Sequence, residues 1–299
     1  MKKQIAQSGY LMALLATIVW SGNYTVARGL NEVYTPISIS FFRWLIATLV
    51  AFPFALPYLK RDYKMLLRQW RLMLVLSFLG VTLFNTLIYL AAHFTSALNL
   101  SLFAITAPLY VAILNRIIFK EQLSLRQVAG FVILISGLLV LLSKGDPTTL
   151  LQLKFNKGDL LMAAAASIFG TYSVMIKLKN PAIGNLSFVS ATFIVGELML
   201  LPFFIGEQIL FSPEISFYPK NIIQLLYIGI GPSILSFYLW NKSIVSIGST
   251  KASTIYNTLP IFSAFFGILI LHEPILLAQL ISAIIIVIGV LLVIRSNAS

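Results

Sequence analysis

The chain has 299 residues, 59% of them hydrophobic and only 10% charged, with a mean hydropathy of +0.94 and a net charge of +12. A soluble domain carries roughly 25% charged residues and cannot hide this much apolar sequence in one core, so the composition argues for lipid as the solvent. The basic excess then belongs to membrane topology and not to nucleic acid, and the absence of cysteine removes disulfides, thiolate metal sites and catalytic thiols.

A hydrocarbon core about 30 Å thick needs about twenty helical residues. Ten segments meet that length. The first, 9–30, follows Met1-Lys2-Lys3 and lacks a small-residue cleavage site, so it is read as a retained helix and not a signal peptide. It carries Trp20, Gly22, Asn23 and Tyr24. The second, 36–59, opens after Thr35-Pro36 and holds Arg43 inside Phe41-Phe42-Arg43-Trp44. The basic stretch Lys60 to Arg71 puts Tyr63, Leu66, Leu67 and Trp70 on one helical face, which predicts a separate surface helix with snorkelling Lys and Arg. The third segment, 72–93, contains Gly80, Asn85, Tyr89 and His93. The fourth, 96–118, contains Asn99, Pro108 and Asn115, and the fifth spans 126–143. From Lys144 to Lys157 the chain reads as a loop through Asp146-Pro147-Thr148-Thr149, with Leu150, Leu151 and Leu153 on the outer surface.

The sixth segment is 158–178 and the seventh, 186–206, contains Glu197. The eighth, 221–241, holds Gly229-Ile230-Gly231-Pro232, Tyr238 and Asn241. The ninth, 249–271, holds Lys251, Tyr256, Asn257 and Pro260, and the tenth is 276–294. Runs such as Ile284-Ile285-Ile286-Val287-Ile288 are apolar on every side, whereas β-barrel strands alternate with period two. The expected fold is an all-α membrane protein.

The second half echoes the first. Gly9 and Gly158, Pro53 and Pro202, Gly80 and Gly229, and Tyr89 and Tyr238 are each 149 positions apart. Pro108 and Pro260, Glu121 and Glu273, Gln127 and Gln279, and Gly137 and Gly289 are 152 apart. Duplication explains this, with residues 1–146 and 157–299 as the copies. With the N-terminus inside, fifteen of the 21 Lys and Arg fall on the cytoplasmic side, five fall outside, and Arg43 lies within a span. That bias predicts a cytoplasmic (inner) membrane protein with both termini in the cytoplasm. Five spans per copy is an odd number, so the copies are expected to be inverted repeats around a central cavity.

The residues resemble the EamA family of the drug/metabolite transporter superfamily. The resemblance rests on Ala104-Ile105-Thr106-Ala107-Pro108-Leu109 leading to Lys120-Glu121-Gln122, and on Tyr256-Asn257-Thr258-Leu259-Pro260-Ile261 leading to His272-Glu273-Pro274. Trp20-Ser21-Gly22-Asn23 and Phe41-Phe42-Arg43-Trp44 also fit, and nearly the whole chain is covered. It implies export or exchange of small metabolites, often amino acids, through a cavity lined by the first four helices of each half. Thr192 stands where the first copy has Arg43, and Ser282 where it has Gly130, so the halves are not functionally equivalent.

Polar side chains at membrane depth face a cavity or a partner helix. Arg43 and Glu197 both fall near mid-bilayer. They read either as a structural ion pair, or with Arg43 snorkelling toward the outer surface, or as functional groups, Arg43 binding a substrate carboxylate or holding the outer gate and Glu197 binding an amine or carrying a proton. Asn23, Asn85 and Asn257 lie deep or beside Gly or Pro and are assigned to the cavity. Trp20, Tyr24, Tyr89, Tyr238 and Tyr256 add aromatic faces and hydroxyls. Pro108, Gly229, Gly231, Pro232 and Pro260 are candidate hinges, because proline removes a helical hydrogen bond. Glu121 and Glu273 read as N-terminal helix caps.

A secondary transporter of small polar metabolites, amino acids or related zwitterions, working by alternating access fits best. A carrier of nucleoside-type metabolites such as S-adenosylmethionine, or a lipid or amphiphile flippase, is the alternative. No P-loop is present, so energy must come from a proton or counter-substrate gradient. A membrane enzyme is disfavoured by two histidines, no cysteine and no clustered acids and bases. No cofactor or metal is implied, and the partners are a small-molecule substrate and membrane lipid.

Overall fold

A computed structural model describes residues 2–95, 100, 103–143, 146, 148, 156–213, 215, 218–271 and 277–295. The expectations placed on Asn99, Pro147, the Leu150-Leu151-Leu153 surface and the Glu273 turn lie outside the described residues. All regular structure among the described residues is helical. In chain order the α-helices are α1 (Lys2–Ser21), α2 (Asn23–Leu30), α3 (Pro36–Arg68), α4 (Trp70–Ser77), α5 (Phe84–Ala92), α6 (Ala107–Phe119) and α7 (Leu125–Ser143). They continue with α8 (Lys157–Met175), α9 (Asn185–Phe211), α10 (Pro219–Ile228), α11 (Ser236–Ile247), α12 (Ser249–Tyr256), α13 (Leu259–Leu271) and α14 (Leu277–Arg295). A π-helical turn, Phe78–Leu83, joins α4 to α5, and a second, Gly229–Leu235, joins α10 to α11. Among the described residues, seven helical stretches are long and apolar enough to cross a membrane, and Ala107–Phe119 and Leu125–Leu141 are shorter apolar helices.

Helix α3 corrects one expectation. Thr35 caps its start by accepting from the Ser38 N–H at 3.3 Å, and Pro36 fills the first turn. It then runs 33 residues without a break, about 50 Å at 1.5 Å per residue. No separate surface helix begins at Lys60. Asp62 does not end the helix. It turns inward, is buried, and accepts from the Gly184 N–H at 2.9 Å and from Arg61 at 2.8 Å. The end of α3 and the start of α4 supply the interfacial face. Tyr63, Leu67 and Trp70 are exposed, with Lys64 and Arg71 over the Tyr63 and Trp70 rings.

The main helix pairs take one member from each half of the sequence: α3 with α9, α7 with α14, α1 with α11, and α5 with α8. Between α3 and α9, the rings of Phe41 and Phe204 stack at 4.0 Å. Glu207 accepts from Thr35 at 2.6 Å and Ser38 at 2.8 Å near one end, and Asp62 meets Gly184 at the other, so the two helices are antiparallel. Helices α7 and α14 touch through glycine. A Cβ on Gly289 would lie 2.9 Å from the Gly130 carbonyl oxygen, and one on Gly130 would lie 3.0 Å from that of Gly289. Small residues are what let membrane helices approach this closely. Ser282 donates to the Gly137 carbonyl at 2.7 Å across the same seam.

The α1–α11 and α5–α8 contacts correspond. Gly9 packs on Ser246 and Ile247, while Gly158, 149 positions later, packs on Phe94 and Thr95. The cap of α7 is not Glu121. Ser124 and Gln127 form a reciprocal pair, each accepting from the other's backbone N–H at 2.9 and 3.2 Å. Glu121 instead pairs with Lys177.

Candidate functional site

Interrupted helices build the centre of the molecule. Helix α1 breaks from α2 at Gly22. Any Cβ there would sit 2.3 Å from the Tyr227 hydroxyl, which donates to the Val19 carbonyl at 2.8 Å and so satisfies a group freed by the break. Turns at Ile105–Thr106 and Asn257–Thr258 precede α6 and α13. Pro108 and Pro260 therefore occupy the first turns of these helices, where no N–H partner is lost. They start helices and do not kink them.

Gly229, Gly231 and Pro232 lie in the second π turn. Its opened backbone is re-used. The Pro232 carbonyl accepts the Trp20 indole N–H at 2.7 Å, and the Ile228 carbonyl accepts the Ser233 hydroxyl at 2.8 Å. In the first π turn the Gly80 carbonyl accepts the Asn85 amide at 3.0 Å. Such turns persist inside a membrane only where protein satisfies the freed groups.

Arg43 stands among these breaks, 1% exposed. Its Nε donates to Ser233 Oγ at 2.7 Å, and its Nη1 donates to Asn23 Oδ1 at 3.0 Å and to the Tyr89 hydroxyl at 2.7 Å. All three acceptors are neutral. Among the described residues Nη2 donates to nothing, and the ion pairs present are Arg61–Asp62 and Lys177–Glu121. The Arg43–Glu197 pair considered from the sequence is not formed.

Aromatic rings wall the opposite side. Trp20 meets Phe169 edge-on at 5.4 Å and Tyr256 at 5.7 Å, and Phe84 stacks on Phe169 at 4.7 Å. The Tyr24 and Tyr256 hydroxyls share a hydrogen bond at 2.9 Å. The small pocket enclosed here is lined by Trp20, Asn23, Tyr24, Arg43, Asn85 and Tyr256, together with Phe84, Ile88 and Phe169. Measured to the centre of a water-sized sphere its volume is about 10 Å³, room for about one water molecule. As it stands, the pocket has no room for a metabolite.

Seven of the ten ligand candidates meet at this point: Trp20, Asn23, Tyr24, Arg43, Asn85, Tyr89 and Tyr256. Three do not. Tyr238 is half-buried under Lys242, with its carbonyl accepting from Asn185 at 2.9 Å. Asn257 lines a neighbouring crevice with Thr106 and Pro108. Glu197 lies on α9 with both carboxylate oxygens buried and without a partner. Sequence reasoning missed Ser233, Phe84 and Phe169. Ser233 follows the break at Pro232, and that adjacency was the available signal.

The sequence pattern of the EamA-like transporter family matches residues 7–143 and 156–295. The chain belongs to this family. It is 26% identical over 267 residues to an uncharacterized transporter of Archaeoglobus fulgidus, covering 88% of this chain and 89% of the relative. It is also 26% identical to the uncharacterized transporter YyaM of Bacillus subtilis, covering 94% and 92%. A WAT1-related chloroplastic protein of Arabidopsis thaliana is 24% identical over 92% of this chain and 66% of the relative. One solved crystal structure superposes with a TM-score of 0.72 over 96% of both chains at 18% identity, which shows a shared fold. Family membership and the long apolar helices together make this EamA-family chain a multi-pass membrane protein.

Proposed function

We propose that this EamA-family chain is a secondary transporter that carries small carboxylate-bearing metabolites, amino acids or related zwitterions, by alternating access. On this reading it crosses the cytoplasmic membrane ten times, as two inverted five-helix units, residues 1–146 and 157–299, with both termini in the cytoplasm. The antiparallel packing of the equivalent helices α3 and α9 favours the inversion, and three further features favour two equivalent units. The α1–α11 and α5–α8 contacts correspond with the halves exchanged. The two π turns fall at matched positions, as do the breaks before α6 and α13.

The observation that carries the substrate class is Arg43. A buried guanidinium without a carboxylate partner is costly unless a ligand supplies one, and its unused Nη2 edge suits a carboxylate. The faces of Trp20, Phe169 and Tyr256 would receive an ammonium or an apolar side chain. A pocket that holds about one water must open for either, and movement of one half against the other would open it to one side at a time.

The test is thermal unfolding of detergent-purified protein with amino acids, purines, adenosyl compounds and amphiphiles. A ligand at a hundredfold excess over its Kd stabilises by about 2.7 kcal/mol. Amino acids should stabilise the wild type and leave Arg43→Ala unmoved. Stabilisation by adenosyl compounds or amphiphiles alone would replace the proposed substrate class.

A further inference from the structure

Glu197 lies outside the Arg43 pocket. It is 8% exposed, and both of its oxygens are buried with no hydrogen-bond partner. A carboxylate in that state is expensive to keep. Two other unpartnered oxygens lie at its level of the bundle. Ser38 meets Glu207, Phe41 stacks on Phe204, and Asp62 meets Gly184. Residue numbers therefore rise along α3 as they fall along α9, and Thr48 comes opposite Glu197. The Thr48 hydroxyl is buried and makes no hydrogen bond.

On the other side α4 presses on α9 one residue before Glu197. A Cβ on Gly196 would lie 3.2 Å from the Ser77 carbonyl, and Thr82 donates to the Gly196 carbonyl at 3.1 Å. The Ser77 hydroxyl is also buried and without a partner. One carboxylate and two hydroxyls, from three helices, are thus left unpaired at one level of the bundle.

The elements packed on α9 are α3, α4, the first π turn and α11. Their ionisable groups include the buried Arg43 and Asp62 of α3, Arg71 of α4, and Tyr238 and Lys242 of α11. The π turn carries none. None of these groups bonds Glu197. Arg43 is the nearest along α3, about 7.5 Å in height from Thr48 at 1.5 Å per residue, and its guanidinium is committed to Asn23, Tyr89 and Ser233.

We propose that Glu197, with the Thr48 and Ser77 hydroxyls unpaired at its level, binds the coupling cation, a proton or a sodium ion, at a site separate from the substrate pocket. A proton would neutralise the carboxylate. A sodium ion would be held by the carboxylate and would draw on the two hydroxyls as further hard oxygen donors. Either would let the halves move without an unpaired charge in the low-dielectric interior. The coupling role rests on the transport reading, but occupancy of the site does not.

The test uses purified full-length protein without any organic substrate. Two quantities are measured: equilibrium binding of radioactive sodium, and, between acid and alkaline buffer, the high-frequency infrared carbonyl stretch of a carboxyl without hydrogen bonds, which separates Glu197 from the solvated Asp and Glu side chains. The wild type should give one of the two signals. Glu197→Gln, monodisperse and with wild-type thermal unfolding, should lose it, and Glu197→Asp should keep it. Thr48→Ala and Ser77→Ala separate the two cations. Each should weaken sodium binding roughly tenfold, the worth of one ligand bond, and neither should abolish the carboxyl signal. A wild type with neither signal, or a Glu197→Gln protein that retains it, overturns the proposal. Because no substrate is added, failure of amino-acid binding at Arg43 would not change this outcome.

Discussion

Replacing Arg43 by lysine keeps the charge and removes the fork. The guanidinium spends three N–H bonds on Ser233, Asn23 and Tyr89, at 2.7–3.0 Å, and keeps Nη2 free. A lysine ammonium has three N–H donors in all, on one atom. To reach a substrate carboxylate it must abandon at least one of the three protein acceptors. One hydrogen bond to a charged group is worth about 1.5–3 kcal/mol, which corresponds to a loss of about 10- to 150-fold in affinity. The assay is the ligand-concentration dependence of the melting temperature, compared between wild type and Arg43→Lys with the stabilising amino acid. Affinity is the quantity to compare, because the variant also leaves buried acceptors unpaired and melts lower without ligand. Arg43→Lys binding within twofold of wild type would refute the reasoning.

Ser233→Ala removes the Arg43 Nε acceptor and should cost about 1–3 kcal/mol in unfolding free energy; an unchanged unfolding profile would show that the contact carries nothing. Gly130→Val places a Cβ 2.5 Å from the Val293 side chain and 3.0 Å from the Gly289 carbonyl, so α7 must move off α14. A loss of about 1–3 kcal/mol or more is expected by thermal unfolding. Gly22→Ala should destabilise by displacing the Tyr227 hydroxyl from Val19. The same change should cost less in a Tyr227→Phe background, with a coupling of about 0.5–3 kcal/mol in a double-mutant cycle; strict additivity would contradict the contact.

Much of the helical layout was legible because lipid forces long apolar helices and punctuates them with Gly, Pro and charge. The length of α3 was not. Lys60-Arg61-Asp62 looks like an exit from the membrane, yet it contains no helix breaker, and the partner that draws Asp62 inward, the Gly184 N–H, lies 122 positions away. Pro108 and Pro260 were visible as breaks, but whether a proline kinks a helix or starts one depends on where the preceding turn closes. The second π turn announced itself through Gly229 and Pro232. The first, at Phe78–Leu83, has no proline and is seen only in the backbone.

The meeting of Arg43, Asn23 and Tyr89 followed from depth and polarity, which one sequence can supply. The separation of Glu197 from Arg43 depends on the register between α3 and α9, which sets Thr48 and not Arg43 opposite Glu197. Approximate depth within each span cannot fix that register, so the pair is compatible with the sequence. Ser233 escaped because serine occurs throughout the spans, and its one distinguishing mark is that it follows the break at Pro232.

The account rests most on one shared binding point at Arg43, reached alternately from the two sides. Counterflow of radiolabelled amino acids in proteoliposomes measures this directly. Preloading with unlabelled amino acid should accelerate uptake of the label by the wild type, and Arg43→Ala, purified with its fold intact, should show none. Wild-type counterflow by Arg43→Ala, or no counterflow of any amino acid by the wild type, would contradict it.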